Sequence, residues 1–469
     1  MLFGAFDADQ PGHPGALSYG LVGTPSGCDA ARTWFEDMSG YLPGDPDNDR
    51  LWPDFPGFEA VMGTGWPSAP TREKRLDVAA LTTDARLADE SQRAAAVVTH
   101  YLDALSAFRQ SDQKFDVVLC VVPDIVYTNC RPKSFVKDAV GDRPSRVERA
   151  ARVAGQGNLF EQYDPDVYQY STDFRRQLKA RAMEHGIPIQ IVRESTFRRS
   201  DEHDRERRLT RRSDRAWNLS VALYYKSCGR PWRLASPRDG VCYLGLAYRR
   251  ADANPSSQAA CCAAQLFVDS GDGLVFMGRT GPWYSQKKRE FHLSRDAARE
   301  LLTGALKTYR EQDGRKLEEL FLHCRSGLDS EEWRGFQDAC PQGVRLVGIR
   351  VRKSNYVKLL RGGTRPVMRG TYWRVDGRRC FLWGSGYKPR LRTYDGWEVP
   401  KPLQIDIQHG SADIETVARD ILALTKLNYN ACKLGETEPV TVGFSDAVGE
   451  ILVSNPTVAV RRPQFKFYI

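Results

Sequence analysis

CYLGLAYRR (242–250), AAQLFVDS (263–270) and GLVFMG (273–278) are three short apolar and aromatic runs parted by turn-forming residues. Their spacing predicts three consecutive strands. Downstream the period changes. Residues of about 295–312 carry helical spacing, LEELFLHC (317–324) reads as a strand, 330–339 as a helix and VRLVGIRV (344–351) as a further strand.

Three strands followed by alternating helix and strand is the order of an RNase H-like fold. Upstream, FDVVLCVVPDIV (115–126) has the unbroken apolar character of a buried parallel strand, and IPIQIV (187–192) repeats it. Helical patterns run over about Asp89–Arg109 and Asp173–Glu184, the second stopped by His185 and Gly186. AWNLSVALYYKSCG (216–229) reads as an amphipathic helix closed by Gly229, and the β, α, β, α order predicts a doubly wound, Rossmann-like unit. The expected fold class is therefore α/β: a Rossmann-like domain over 86–236, an RNase H-like domain over 237–469, and an N-terminal segment over 1–85. GYLPGDPDNDRLWPDFPGFEAVMGTGWP (40–67) shows little periodicity, yet Trp52, Phe55, Phe58 and Trp66 are too aromatic for a disordered tail. This predicts an extended, partner-binding segment. The run RRSDEHDRERRLTRRSDR (198–215) is mixed in charge and reads as a solvated loop.

At 469 residues, with 41% hydrophobic and 27% charged residues, chronic disorder is excluded for most of the length. No apolar run reaches the roughly 18 residues of a membrane helix, and MLFGAFDADQPGHPG lacks a secretory pattern, so the expected location is cytoplasmic. The 68 Lys and Arg exceed the 59 Asp and Glu by nine, with the excess in the middle and C-terminal thirds, where a nucleic-acid footprint is sought. Eleven cysteines include no CxxC pair, and adjacent Cys261 and Cys262 suit neither a disulfide framework nor a tetrahedral zinc site. Reduced, mostly buried thiols are expected.

Arg175 and Lys179 are four apart on an expected helix and share a face. Gln190 lies on the next strand and Lys226 near the end of the next helix. Together these side chains suit a terminal phosphate, whose roughly −1.5 to −2 charge calls for several charge-assisted donors. Any one of them alone would read as a solvated surface cation. FKFYI (465–469) has no polar tail. An apolar end of this kind docks into a core and brings the Ile469 carboxylate with it, which then requires a compensating cation.

IPIQIV, WNLSVALYYKSCGRPWRL, CYLGLAYRR, RKSNYVKLLRG and ILALTKLNYN, in that order, resemble the MID and PIWI domains of Argonaute proteins, and the length resembles the short prokaryotic members without a PAZ domain. The likeness runs from about Phe115 to Ile469, which is 355 of 469 residues. It implies that Arg175, Lys179, Gln190 and Lys226 hold a guide 5′-phosphate, with the Ile469 carboxylate and a Mg²⁺ ion. The interval before Lys226 is longer than the family's, on account of the charged insertion. A slicing PIWI domain clamps two metals with carboxylates, but Ala247 and Ser326 stand where two of them belong, so the resemblance implies an inactive centre. Glu290 and Asp329 lie nearby, Asp329 reading as a helix N-cap.

Arg350, Arg352 and Lys353 are implied to follow the guide or target backbone, while Arg345, Lys358 and Arg361 crowd the same region. The resemblance further implies a guide RNA, a single-stranded DNA target and a heterodimeric partner bearing an APAZ region. That partner would carry a sirtuin-like or TIR NAD-consuming domain, or a nuclease, in defence against plasmids or phage. A competing reading is a guide-dependent metal nuclease with displaced carboxylates. A small-molecule α/β enzyme is a third, and it lacks any GxGxxG, P-loop or GxSxG signature.

Overall fold

The computed structural model describes residues 4–156, 164–199, 210–234, 238–249, 261–267, 273–277, 281, 283–285, 290–312, 316–394, 396–455 and 462–469. The first half runs β1 (Tyr19–Gly23), α1 (Pro25–Ser39), α2 (Phe58–Met62), β2 (Arg72–Arg75), α3 (Val78–Asp84), α4 (Glu90–Arg109), β3 (Val117–Val122), α5 (Asp124–Asn129), α6 (Arg146–Val153), α7 (Phe174–Ala182), β4 (Ile189–Arg193) and α8 (Arg212–Lys226). Its sheet has the order β2-β1-β3-β4, with every neighbouring pair parallel. All six residues of β3 are buried, as its unbroken apolar run requires in a sheet covered on both faces. Asp89 and Asp173 cap α4 and α7 through their carboxylates, and Gly186, at φ 70°, makes the left-handed turn that leads into β4.

Residues 1–85 are not an extended segment. They supply β1 and β2 to this sheet, and β1 lies between β2 and β3. Phe55 and Phe58 are fully buried, Phe58 packs on Trp66 at 4.3 Å, and the Trp66 indole donates to the Phe35 carbonyl at 2.7 Å. Of the aromatics that looked like a partner surface, Phe55 and Phe58 are thus core, Trp66 packs against it, and Trp52 is half-buried. The charged run is loop at Arg198 and Arg199, both exposed, but its far end departs from a solvated loop, because Arg212–Arg215 open α8. Arg199 and Arg212 both pair with Asp37, and Arg211 pairs with Asp45. Arg215 is buried against the Trp34 ring at 4.7 Å. The insertion clamps the N-terminal elements; its residues 200–209 lie outside the described set.

The second half runs β5 (Val241–Arg249), β6 (Cys261–Phe267), β7 (Gly273–Met277), β8 (Tyr284–Ser285), β9 (Glu290–Phe291), α9 (Arg295–Gln312), β10 (Glu319–Cys324), α10 (Ser330–Ala339), β11 (Arg345–Lys353), β12 (Tyr372–Arg374), β13 (Arg379–Leu382), β14 (Leu403–His409), α11 (Ile414–Leu424) and α12 (Val440–Leu452). Its eight-stranded sheet has the order β12-β13-β14-β11-β10-β5-β6-β7. β5, β6 and β7 are antiparallel neighbours, whereas β5, β10 and β11 run parallel. This is the expected three-strand meander followed by two crossover strands. Alternation along β5 sends Cys242, Leu244 and Leu246 into a core with α9 and α10, and Tyr243 into one with α12. α12 packs so closely that a Cβ on Gly245 would run into the Thr441 carbonyl.

α8 begins at Arg212 and is buried on nearly every side rather than amphipathic. Trp217, Val221 and Tyr224 belong to the first-half core and Tyr225 to the second-half core, so the helix joins the two. Its reversal is made by Cys228 at φ 69°, while Gly229 is required because a side chain there would strike the Tyr224 ring. Cysteines 28, 120, 130, 228, 242, 324, 340, 380 and 432 are free thiols; the side chains of Cys261 and Cys262 lie outside the described set. Among the described residues no helix is long and apolar enough to cross a membrane.

Candidate nucleic-acid interface

The Asp173 cap starts α7 so that Arg175 and Lys179 stand one turn apart. Lys179 is buried and donates to the Tyr468 carbonyl at 3.1 Å. Lys226, on the last turn of α8, is fully buried and donates to Ile189 O at 3.0 Å and to the main-chain oxygen of Ile469. The apolar end Phe465–Ile469 is buried as expected, and the two ammonium groups rest on its last two residues. Among the described residues neither lysine has a carboxylate side chain as a partner. Burial, followed by the charges of Arg175 and Lys226, pushes the Lys179 pKa well below the usual lysine value. Burial and Arg175 bring Lys226 down to about 7. The pocket thus gathers Lys179, Lys226 and, at its mouth, the exposed Arg175 against the single carboxylate of Ile469, an excess of positive charge.

Gln190 follows the Ile189 carbonyl that holds Lys226. Its Oε1 is buried without a hydrogen-bond partner, and its Nε2 reaches Ile191 O at 3.4 Å. The orphan amide oxygen and the Ile469 oxygen are both hard donors of the kind Mg²⁺ prefers, so the chemistry of the residues present fits such an ion. Arg175, Lys179, Lys226 and Ile469 are therefore brought together, and Gln190 follows Ile189 on the neighbouring strand. Beyond them lies a cavity of about 300 Å³ lined by Tyr170, Arg176, Tyr248, Arg249, Phe291 and Glu450. Sequence reading missed it. Its available signal was Arg249, two residues beyond Ala247.

Ala247 is buried on the α12 side of β5, and Ser326 lies two residues beyond Cys324, which pairs with Leu246. The two positions thus meet at one end of the sheet. The carboxylates near them come from α12 and the loop before it, and each is paired. Asp446 meets Arg325, and Arg249 at 3.5 Å. Glu438 meets Arg325 at 2.8 Å and Lys353 at 3.4 Å. Glu450 meets Arg249 at 3.4 Å and Arg176 at 2.9 Å. Burial raises the Asp446 carboxyl pKa, against the pull of the two arginines. Asp329 caps α10 as expected, accepting from the Glu331 and Glu332 amides.

Arg350 and Arg352 alternate onto one side of β11, as anticipated, but they are engaged. Arg350 pairs with Glu290 at 2.9 Å, Arg352 donates to Gln404 at 3.3 Å, and Arg345 pairs with Glu319. Lys358 and Arg361, in the segment after β11, are exposed and have no ion pair among the described residues. From Arg350 to Val375 the chain has no Asp or Glu.

No family model matches this chain, and no curated protein does. Solved structures do. Over 97% of this chain and 50% of the other, it superposes on Clostridium butyricum Argonaute bound to a guide DNA (5′ deoxycytidine) and a 19-mer target DNA, with a TM-score of 0.62 and 14% identity. Over 97% of this chain and 51% of the other, it superposes on Aa-Ago with externally bound siRNA, with a TM-score of 0.57 and 11% identity. The chain thus spans about half the length of the Argonautes it matches, and over that half its paired sheets have the Argonaute MID–PIWI fold.

Proposed function

We propose that this chain is the guide-binding subunit of a short prokaryotic Argonaute defence system. It holds a small guide RNA by its 5′-phosphate and presents it to complementary single-stranded DNA. Pairing then activates an APAZ-bearing partner, a sirtuin-like or TIR NADase or a nuclease, against plasmids or phage. The observation that carries this reading is the buried pair Lys179 and Lys226, with Arg175 beside them and no side-chain carboxylate to neutralise them. A terminal phosphate supplies the missing charge. Gln190 and Ile469 would hold a Mg²⁺ there, which adds charge neutralisation between the phosphate and the Ile469 oxygen. Sequence specificity comes from guide pairing rather than from protein contacts with base edges.

The PIWI-like centre does not cut. Ala247 and Ser326 offer no metal ligand of the required kind, and the carboxylates at hand are already paired with Arg249, Arg325, Lys353 and Arg176. Binding of 5′-phosphorylated and 5′-hydroxyl guides to the wild type and Lys179→Ala tests the reading. One charge-assisted hydrogen bond is worth about 1.5–3 kcal/mol, so Lys179→Ala weakens the phosphorylated guide by at least about tenfold and the hydroxyl guide far less. Equal loss for both guides would make Lys179 a general backbone contact and sink the pocket. Guide-dependent, EDTA-sensitive cutting by the chain alone would favour the displaced-carboxylate nuclease instead.

A further inference from the structure

On the opposite face of the β5 strand from α12, three segments bring metal-binding atoms together. His292 follows β9, Asp329 precedes α10, and Glu332 lies in the first turn of α10; one ligand atom from each falls within 4.8 Å of the others. Glu332 is fully buried. Its Oε1 accepts from the Tyr248 hydroxyl and, at 3.4 Å, from the Leu293 amide, which leaves Oε2 facing His292 Nδ1 at 3.4 Å. A charge-assisted hydrogen bond would be about 2.7–2.9 Å long. Two ligands on one tetrahedral zinc ion, with bonds of about 2.0–2.2 Å, stand about 3.4 Å apart. The far ring nitrogen, His292 Nε2, is buried without a hydrogen-bond partner and faces Glu290 at 3.5 Å, while Glu290 is held by Arg350 at 2.9 Å. A carboxylate behind the outer nitrogen is the usual way a metal-bound imidazole is oriented.

We propose that His292, Asp329 and Glu332 form a structural site for a divalent transition metal, with Zn²⁺ as its occupant. One imidazole and two carboxylates select Zn²⁺ over Mg²⁺, which takes all-oxygen sites. The ion ties β9, the turn after β10 and the start of α10 into one unit, and through Glu290 it fixes Arg350 beside the Arg325–Ser326 turn. Ala247 and Asp446 lie across the sheet, so the site uses ligands other than those positions, although it adjoins the Ser326 turn, and it does not depend on the proposed guide binding. Glu290 is a positioning residue here.

The full chain, purified without a polyhistidine tag and dialysed after zinc loading, is assayed for bound metal and for thermal stability. The wild type retains roughly one zinc per chain and gains several degrees in Tm, because a ligand of the folded state stabilises it. His292→Ala and Glu332→Gln lose the metal and the gain, and Glu290→Gln weakens affinity by about 10–100-fold. A wild type that holds no more zinc than His292→Ala overturns the proposal. Should the variants fail to fold, stoichiometric Co²⁺ added to the wild type decides: visible d–d absorption supports the site, and its absence overturns it.

Discussion

Lys226 ends α8 with its ammonium between the Ile189 carbonyl and the Ile469 carboxylate, and burial brings its pKa from 10.5 to about 7. Below about pH 7 it is protonated both folded and unfolded, and the cost of burying the charge is present in full. Between about 7 and 10.5 the unfolded chain keeps a proton that the folded chain has released, so stability from this residue rises with pH; above 10.5 the dependence ends. Lys226→Met removes that cost. In the absence of nucleic acid the variant should be more stable than the wild type near neutral pH, and the gap should close as pH approaches 10.5 in urea denaturation across that range. The same variant should lose at least about tenfold in preference for a 5′-phosphorylated guide. A variant less stable than the wild type near neutrality would mean that compensating the buried Ile469 carboxylate outweighs the cost of burying the ammonium. Arg175 and Lys179 were legible from sequence because helical spacing places them together. Lys226 was read near the end of the next helix, but a long charged insertion separates it from Gln190, so its link to the set was the least direct. Asp446 and its arginines were not legible, since nothing local in the sequence announces an ion pair between residues more than a hundred positions apart.

At the level of elements, α4, β3, α7, β4, β5 to β7, α9, β10, α10 and β11 follow from periodicity, and β1 shows why the first 85 residues did not. It is five residues long, YGLVG, and two of them are glycine. Strand propensity disfavours glycine, but both are set by packing: a Cβ on Gly20 would lie 2.9 Å from the Phe108 ring, and one on Gly23 would lie 2.9 Å from Val121. The residues that weaken the local signal are thus those that let β1 sit between its neighbours and the helices. Removing residues 1–85 takes out two of the four strands and leaves the partners of Trp34, Phe35, Phe55 and Phe58 exposed. The truncated chain should aggregate or lose its cooperative thermal transition. A soluble truncation with wild-type Tm and guide affinity would show these residues to be an appendage.

Across the whole molecule, one line of alternating charges runs from α7 to β11 by way of α12: Arg176, Glu450, Arg249, Asp446, Arg325, Glu438 and Lys353. It joins the helix of the proposed phosphate pocket to the strand proposed to follow the nucleic-acid backbone, and it spends positive charge internally. Exposed Lys358 and Arg361 carry no such partner among the described residues. Each should change the salt slope of single-strand binding by about 0.7 when replaced by alanine. Arg350 and Lys353 should change it less, because each must release Glu290 or Glu438 to take a phosphate. Equal slopes for all four variants would show that the internal pairs open freely. The same line decides what happens if the missing carboxylates are restored. In Ala247→Asp with Ser326→Asp, the new side chains enter a site where Arg325 already pairs with Asp446 and Glu438, and Arg249 with Asp446 and Glu450. Two guanidinium groups within reach of the added carboxylates stand in the way of two divalent ions, because each ion pair formed removes the negative charge a metal would need. The double variant should therefore bind guide and target as the wild type does and still leave the target intact in Mn²⁺. Further replacement of Arg249 and Arg325 by serine should be required before any metal is held there. Guide-dependent cutting by the double variant alone, abolished by EDTA, would show that the arginines yield to metal and that the loss of two carboxylates is the whole of the defect.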